Sequence, residues 1–362
     1  YKRQALEHGT EALSMCVRKA VNEMLGSLAE DAGIRREDVF QVCVVGNTCM
    51  HHLFLGISPA SLVHAPYTPA VSERLVLNAG DYGLAVQERA ELLMLSDIAG
   101  YVGADTCGCL LAIRQDQQEE ISLMIDIGTN GEMVLGNRER MVTCSTAAGP
   151  AFEGAKIECG MRGAAGAVDH VKYEDGKWNY TTIGNKPAVG LCGSGLIDLV
   201  AGLLDAGMLD ENGVLRSGQE KQGVFILVPP ERGGNERGVY LTQKDLGEVQ
   251  LAKAAIAAGI QMLMERLGIT EDDICSVYIA GAFGNYMDPV SAGKIGLLPA
   301  TLVKKVKPVG NAAGEGAKIA LVNEKEMLEM DELVRKIEFV ELAASADFQD
   351  HFIDELGFET GE

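Results

Sequence analysis

The chain has 362 residues, 47% hydrophobic and 23% charged, a globular composition with room for one large or two medium domains. Its 52 acidic residues outnumber 31 basic ones, and a net charge of −21 repels phosphate backbones and argues against nucleic acid as a partner. No run of 18 apolar residues predicts a membrane span, so no membrane partner is expected.

The opening YKRQALEHGTEAL has no signal-peptide core and no initial Met, which suits a piece of a longer protein. Nine cysteines, an odd number, sit mostly in apolar contexts such as QVCVVG and CGCLLAI. They read as buried thiols of a reducing cytoplasm. No C-x-x-C pair supports a metal centre, and Cys107 and Cys109 read as packing. His51 and His52 are adjacent, so a helix would turn them to different faces.

In chain order, apolar spacing predicts a helix over 9–32, stopped by Gly33. VFQVCVVG is a buried strand, and NTCMHHLFLG a short helix closed by Gly56. Residues 57–92, with three prolines, read as irregular. LLMLSDIAGYVGADTCGCLLAIRQDQ reads as strand, loop and small-residue helix. LMIDIGTNGEMVLG and RMVTCSTAAG give three strands of an antiparallel meander. GAVDHVKYEDGKWNYTTIG is a hairpin about Asp175-Gly176.

LCGSGLIDLVAGLLDAGML is a glycine-opened helix, followed over 210–238 by loop and short strands. A long amphipathic helix then starts at Thr242 as N-cap. DICSVYIAGAFGN is a buried strand ending in glycines, DPVSAGKIG a short helix, and VKPVGNAAGEGAKIALV a short strand and small-residue helix. VVGNTCM, AGAFGN and VGNAAGEGA are alike locally, which hints at an internal duplication. The acidic tail reads as a solvated helical surface. Alternating helices and strands make this an α/β chain with mixed sheets.

The chemistry concentrates at DIGTNGE. A hairpin needs two turn residues; this one adds a carboxylate, a hydroxyl and glycines. Gly128 and Gly131 are expected to supply positive φ and open space, while Thr129 and Asn130 with the turn's N–H groups form an anion nest. Asp126 repels phosphate, so its expected role is to hold a hydrated Mg²⁺, and Glu132 is a further catalytic candidate. Gly193, Ser194 and Gly195 open a helix whose dipole favours negative charge. Gly281, Ala282 and Gly284 are expected to let a flat ring approach the backbone. Asn285 either bonds that ring or caps the turn. Asp105, just before a helix, is either an N-cap or a carboxylate that orients an attacking hydroxyl or water.

Together these segments resemble the ASKHA superfamily of acetate and sugar kinases, Hsp70 and actin. More narrowly, GNTCMHHLFLGISP, IAGYVGADT, DIGTNGEMVLG, GPAFEGAKIECGMRGAAGAV, GLCGSGLID, AGAFGNYMDP, IGLLP and VGNAAGEGA, in that order over about 40–322, resemble the ATP-dependent reductive activators of corrinoid proteins. The resemblance implies ribonuclease-H-like lobes: the remainder of a first lobe over 1–118, a second lobe with the nucleotide site over 119–322, and an acidic helical segment over 323–362 packing on the core.

It also implies ATP and Mg²⁺ as cofactors, and a corrinoid protein as partner, whose cob(II)alamin is returned to cob(I)alamin. A homodimer in the cytoplasm is expected too. The [2Fe-2S] ferredoxin domain that receives electrons from a donor, and the first strands of the first lobe, are expected outside this sequence. The resemblance places Asp126 to Glu132 at the second phosphate motif and Gly281 to Asn285 at the adenosine motif. Gly193 to Gly195 line the nucleotide side, and Asp105 orients water or metal. Glu153 and Arg162 are the polar candidates of the 149–167 loop. Two alternatives stand: a small-molecule kinase of the same fold with Asp105 as base, and a non-catalytic docking or dimerisation module.

Overall fold

The computed structural model describes residues 2–216, 223–343 and 345–358, with the backbone alone at 282 and 283. The chain folds as two units, one of residues 1–119, 137–143 and 311–339, the other of 120–136, 144–310 and 340–362. Elements are numbered along the chain.

The first unit opens with α1 (Lys2–His8) and α2 (Glu11–Ala32), which Gly33 ends at φ +66°. Next come β1 (Gln41–Val44), α3 (Thr48–Leu55), β2 (Leu75–Asn78), β3 (Glu91–Met94) and α4 (Ala104–Ile113). From later in the chain it takes α9 (Ala312–Val322), α10 (Glu324–Val334) and β14 (Glu338–Phe339). The sheet order is β1-β3-β2, with β1 parallel and β2 antiparallel to β3. Leu92 and Met94 of β3 meet Phe54 and Leu84 in the core, with Val42 and Val44 packed against them.

Two expectations need correction here. Residues 57–92 are not all irregular: RLVLN supplies β2, whose exposed alternate residues blur the pattern. Asp105 is not the cap of α4; Gly103 holds that position and Asp105 is the second helical residue. The carboxylate serving the helix start is Asp97, whose Oδ1 accepts from the Ala104 N–H at 3.0 Å. Asp97 also meets His51 Nδ1 through Oδ2, at 3.2 Å. His52 turns elsewhere, donating from Nδ1 to the Thr48 carbonyl and accepting at Nε2 from the Ala70 N–H.

Small residues let α4 and α9 cross at backbone contact. A Cβ on Gly316 would overlap the Gly108 carbonyl, and one on Gly108 would lie 2.6 Å from the Ala313 oxygen. Cys107 and Cys109 flank that crossing fully buried, and burial pushes the Cys107 thiol well up, so it is an inert packing group.

The second unit is built on β4 (Ile121–Ile127), β5 (Gly131–Gly136), β12 (Ile274–Ala280) and β13 (Val306–Gly310). The strand β6 (Met141–Thr146) runs into it from the first unit, where Val142 and Thr143 pair with β14. The order is β13-β12-β4-β5-β6, with β12 parallel to both β13 and β4, and β5 antiparallel to β4. β4, β5 and β6 form the expected meander.

Against β5 lies α6 (Gln243–Leu267), started by the capping box of Thr242 and Asp245. Gly259 of α6 leaves room for Met133 and Thr146, its missing Cβ falling 2.3 Å or more from them. A second sheet joins β7 (Ala167–Glu174), β8 (Lys177–Thr182) and β9 (Gly190–Leu191), with α5 (Gly193–Asp205) on β7. The β7–β8 turn has positive φ at both Asp175 and Gly176, as the Asp-Gly pair predicts. β10 (Val224–Val228) pairs with β11 (Val239–Thr242). The helical turn α7 (Gly281–Gly284), α8 (Pro289–Lys294) and α11 (Ala346–Asp354) complete the unit.

Candidate functional site

Three parallel strands of the second unit end side by side. Ala280 of β12 is the register partner of Asp126 on β4 and of Gly310 on β13. The carboxyl edge of such strands is where ligands of open α/β sheets bind. Here β4 turns back into β5, and Asp126 and Glu132 become direct cross-strand partners.

The turn differs from its prediction. Neither Gly128 nor Gly131 uses positive φ. The turn closes instead by the Gly128 N–H donating to the Asn130 carbonyl at 2.9 Å. Gly131 is required by space: a Cβ would sit 2.9 Å from Thr146 Oγ1 and 3.2 Å from Ile256 Cγ1. Gly128 is open on the side of Glu153, whose Oε1 would be 3.6 Å from its Cβ.

Asp126 is half-buried, and burial pushes its carboxyl pKa up. Among the described residues no hydrogen bond or ion pair reaches it. Glu132 is buried, with Ser145 Oγ donating to its Oε1 at 3.4 Å. Gly281 follows β12 at φ +86°, and a Cβ there would come within 3.0 Å of Asp126 Oδ1. Asn285 is exposed, its side chain beside Gly310, with Nδ2 3.1 Å from where that residue's Cβ would be.

Several other predicted residues have structural duties. Gly284 is buried, and its Cβ would strike Ile279 of the preceding strand at 2.6 Å, so it does not open space toward a ring. Gly195 packs on the Val168 carbonyl, which a Cβ would overlap. The Ser194 side chain is buried against Cys192, Oγ to Sγ 3.4 Å, and Gly193 is buried with it. Of this triplet the backbone alone remains for a ligand. The side chains of Ala282 and Phe283 lie outside the described residues. Asp105 belongs to the first unit, half-buried, with Oδ1 accepting from the Thr106 N–H.

The loop at 149–161 is tied to the β4–β5 turn. Gly149 N–H donates to the Thr129 carbonyl at 2.8 Å, and Thr129 Oγ1 donates to Glu153 Oε2 at 2.7 Å. Farther on, Met161 N–H donates to Leu191 O, and Leu191 N–H to Cys159 O, next to the start of α5. One loop thus bonds both the turn and the strand that feeds the glycine-opened helix. Arg162, the other polar candidate in it, is exposed.

Comparison with known proteins matches this layout. Residues 120–362 fit the family model described as the C-terminal domain of RACo, the ASKHA domain, and residues 1–118 fit the RACo middle region. The chain is 35% identical over 352 residues to the corrinoid activation enzyme RamQ of Eubacterium limosum, covering 93% of this chain and 59% of the relative. It is 29% identical over 303 residues to a Methanosarcina barkeri reductase of the Co(II) methylated amine-specific corrinoid protein, covering 77% and 54% respectively. The chain therefore spans less than two thirds of either curated relative. A solved reductive activator for corrinoid, iron-sulfur protein superposes with a TM-score of 0.88 at 37% identity, over 97% of this chain and 57% of that one. The chain belongs to the RACo family, with the ASKHA fold in its C-terminal part and the family's middle region before it.

Proposed function

We propose that this chain is the nucleotide-binding part of an ATP-dependent reductive activator that returns the cob(II)alamin of a corrinoid protein to cob(I)alamin. Membership of the family, and relatives named as an activation enzyme and a reductase for corrinoid proteins, support the partner class. One observation carries the nucleotide site: Asp126, a half-buried carboxylate with no partner among the described residues, stands at the aligned ends of three parallel strands. A desolvated charge without a counter-charge is costly. A cation supplies what Asp126 lacks.

The residues suit Mg²⁺. That ion keeps several waters and takes one or two carboxylates with substrate phosphates. Asp126 and Glu132 are one such pair. Among the described residues no three His, Cys, Asp or Glu side chains gather into an all-protein cage. When bound, the ion would offset the charge of the phosphates. The chain's own groups divide the remaining work. Backbone N–H groups at the tip of the β4–β5 turn hold phosphate oxygens, Asp126 orients the ion's water, and Gly281 and Asn285 border the adenosine. Asp105, in the first unit, is proposed as a residue that orients water in turnover. Electron delivery belongs to the part of such activators that this chain does not span, where the [2Fe-2S] domain is expected. A homodimer in the cytoplasm is part of the same proposal.

Calorimetry tests the site. Wild-type chain should bind ATP with Mg²⁺, and Asp126→Ala should lose that binding while its melting transition persists. Unchanged affinity in the variant refutes the assignment. For function, ATP should change the affinity for a corrinoid protein in the cob(II)alamin state by about fivefold or more, the scale of a coupling between sites. No change would refute the coupling.

A further inference from the structure

Resting on the nucleotide reading above, we propose that Glu153 is a positioning residue of that site, which commits the Thr129 hydroxyl to accept from a ligand and so makes the site select metal-bound over metal-free nucleotide. A threonine hydroxyl has one proton and two acceptor lone pairs. Here the proton points to Glu153 Oε2, 2.7 Å away. An ionised carboxylate only accepts, so the donor in this contact is Thr129. What the hydroxyl can offer elsewhere is its lone pairs.

Phosphate oxygens are acceptors too. With Thr129 so engaged, its side chain cannot donate to a phosphate. Asp126 adds an acceptor-only group nearby, and Glu153 Oε1 hangs over Gly128, another. Waters of a bound metal would be strong donors to such acceptors. Metal-free nucleotide meets acceptors and like charge, which disfavours it.

The contact is held in place. The Glu153 N–H donates to Pro150 O and the Gly154 N–H to Ala151 O, closing a tight turn. Ala151 and Phe152 anchor that turn in the core. Gly149 N–H to Thr129 O bolts the loop to the same residue whose hydroxyl Glu153 engages. Gly154 needs its positive φ of +80°, and a Cβ there would lie 2.6 Å from the Met161 backbone. Glu153 and Thr129 are both exposed, so their replacement leaves the core untouched.

The experiment compares ATP affinity by calorimetry with excess Mg²⁺ and with excess chelator. In wild type, MgATP should bind about tenfold tighter or more than metal-free ATP, as expected for charge-assisted contacts. Glu153→Gln removes the charge and offers an amide, so this ratio should fall severalfold, partly because metal-free ATP binds better, while Asp126 keeps it above one. Thr129→Val should lower the ratio as well, and Glu153→Asp should restore part of it. A role in loop structure alone would weaken both forms equally and leave the ratio unchanged, and that result overturns the proposal. Wild type that binds both forms equally also overturns it, yet leaves the nucleotide site standing. Wild type that binds neither form refutes both.

Discussion

Gly281 and Asp126 approach so closely that no side chain fits between them: a Cβ on Gly281 would lie 3.0 Å from Asp126 Oδ1, on a backbone at φ +86°. Two physical demands therefore meet at one glycine, a left-handed conformation and an open path to a carboxylate. Gly281→Ala should cost about 1–2 kcal/mol for the left-handed backbone alone. It should also lower MgATP affinity by crowding the carboxylate. Chemical denaturation and calorimetry read the two effects separately. Wild-type nucleotide affinity in the variant would remove Gly281 from the site.

Asp126 itself should show a conflict between stability and binding. Burial raises its folded carboxyl pKa above the unfolded value. The folded state then holds a proton that the unfolded state has released between those two values. The resulting stability is full below the unfolded pKa and is lost as pH rises through the folded one. Once ionised, above its folded pKa, the carboxylate is a burden on the fold. Asp126→Asn should therefore melt no lower than wild type above that folded pKa, and its stability should fall less as pH rises through the window between the two values. Its Mg²⁺-dependent nucleotide binding should vanish. A variant that melts lower and binds as before would contradict both parts.

Much of this architecture was legible because its signals are local. Asp-Gly at 175–176 fixes a hairpin, Thr242 with Asp245 starts a helix, and Gly33 and Gly56 end others at positive φ. The strand ends carrying Asp126 and Gly281 were visible as apolar runs broken by glycine. What escaped depends on distant partners. A glycine does not announce whether its vacancy serves a turn, a ligand or a neighbour. Gly131, Gly195 and Gly284 prove to serve Thr146, Val168 and Ile279. His51 seemed uninformative beside His52 because Asp97, its partner, lies 46 residues away. β2 escaped because half its residues face solvent at a sheet edge.

Asp105 offers a test that separates helix chemistry from turnover. It is the second residue of α4, where a carboxylate interacts favourably with the helix dipole. Asp105→Asn should lose about 0.3–1 kcal/mol of stability on that account. If Asp105 orients a water or the metal, turnover of ATP should drop far more than ATP affinity. Turnover equal to wild type would leave it a helix-start residue only.

The α4–α9 crossing makes a prediction about glycines that bind nothing. Gly316→Ala pushes a methyl group into the Gly108 carbonyl, with backbone on both sides and no flexible side chain to yield. Overpacking of this kind costs about 1–3 kcal/mol. Gly247 of α6 is the control, since nothing lies within 4 Å of its Cβ position. Gly247→Ala should stabilise by about 0.5–1 kcal/mol through helix propensity. If both variants move stability the same way, close contact is not what sets Gly316 of α9 apart.

Lys253 is the least anticipated residue of the second unit. It lies in the long helix α6 at 2% exposure, where a lysine is rare unless paired. Its ammonium donates to the Gly357 carbonyl, stands 4.0 Å from Glu355 Oε2, and lies over the Phe358 ring. Gln250 and Gln261 of the same helix bind Leu356 O and Glu355 Oε1, and Glu265 meets His351 of α11. A row of polar groups on α6 thus holds the C-terminal segment, with Lys253 as its buried centre. Removing the ammonium leaves Glu355 without its buried partner and the Gly357 carbonyl without its donor. Glu355 is only part-buried and keeps its bond from Gln261, so the loss should be about 1–3 kcal/mol. Lys253→Met keeps most of the apolar volume, so its loss should be the smaller, and Lys253→Ala should add a cavity cost. In both, limited proteolysis should cut within 346–358 before any other site. Cleavage elsewhere first, with that segment intact, would show that the other ties suffice.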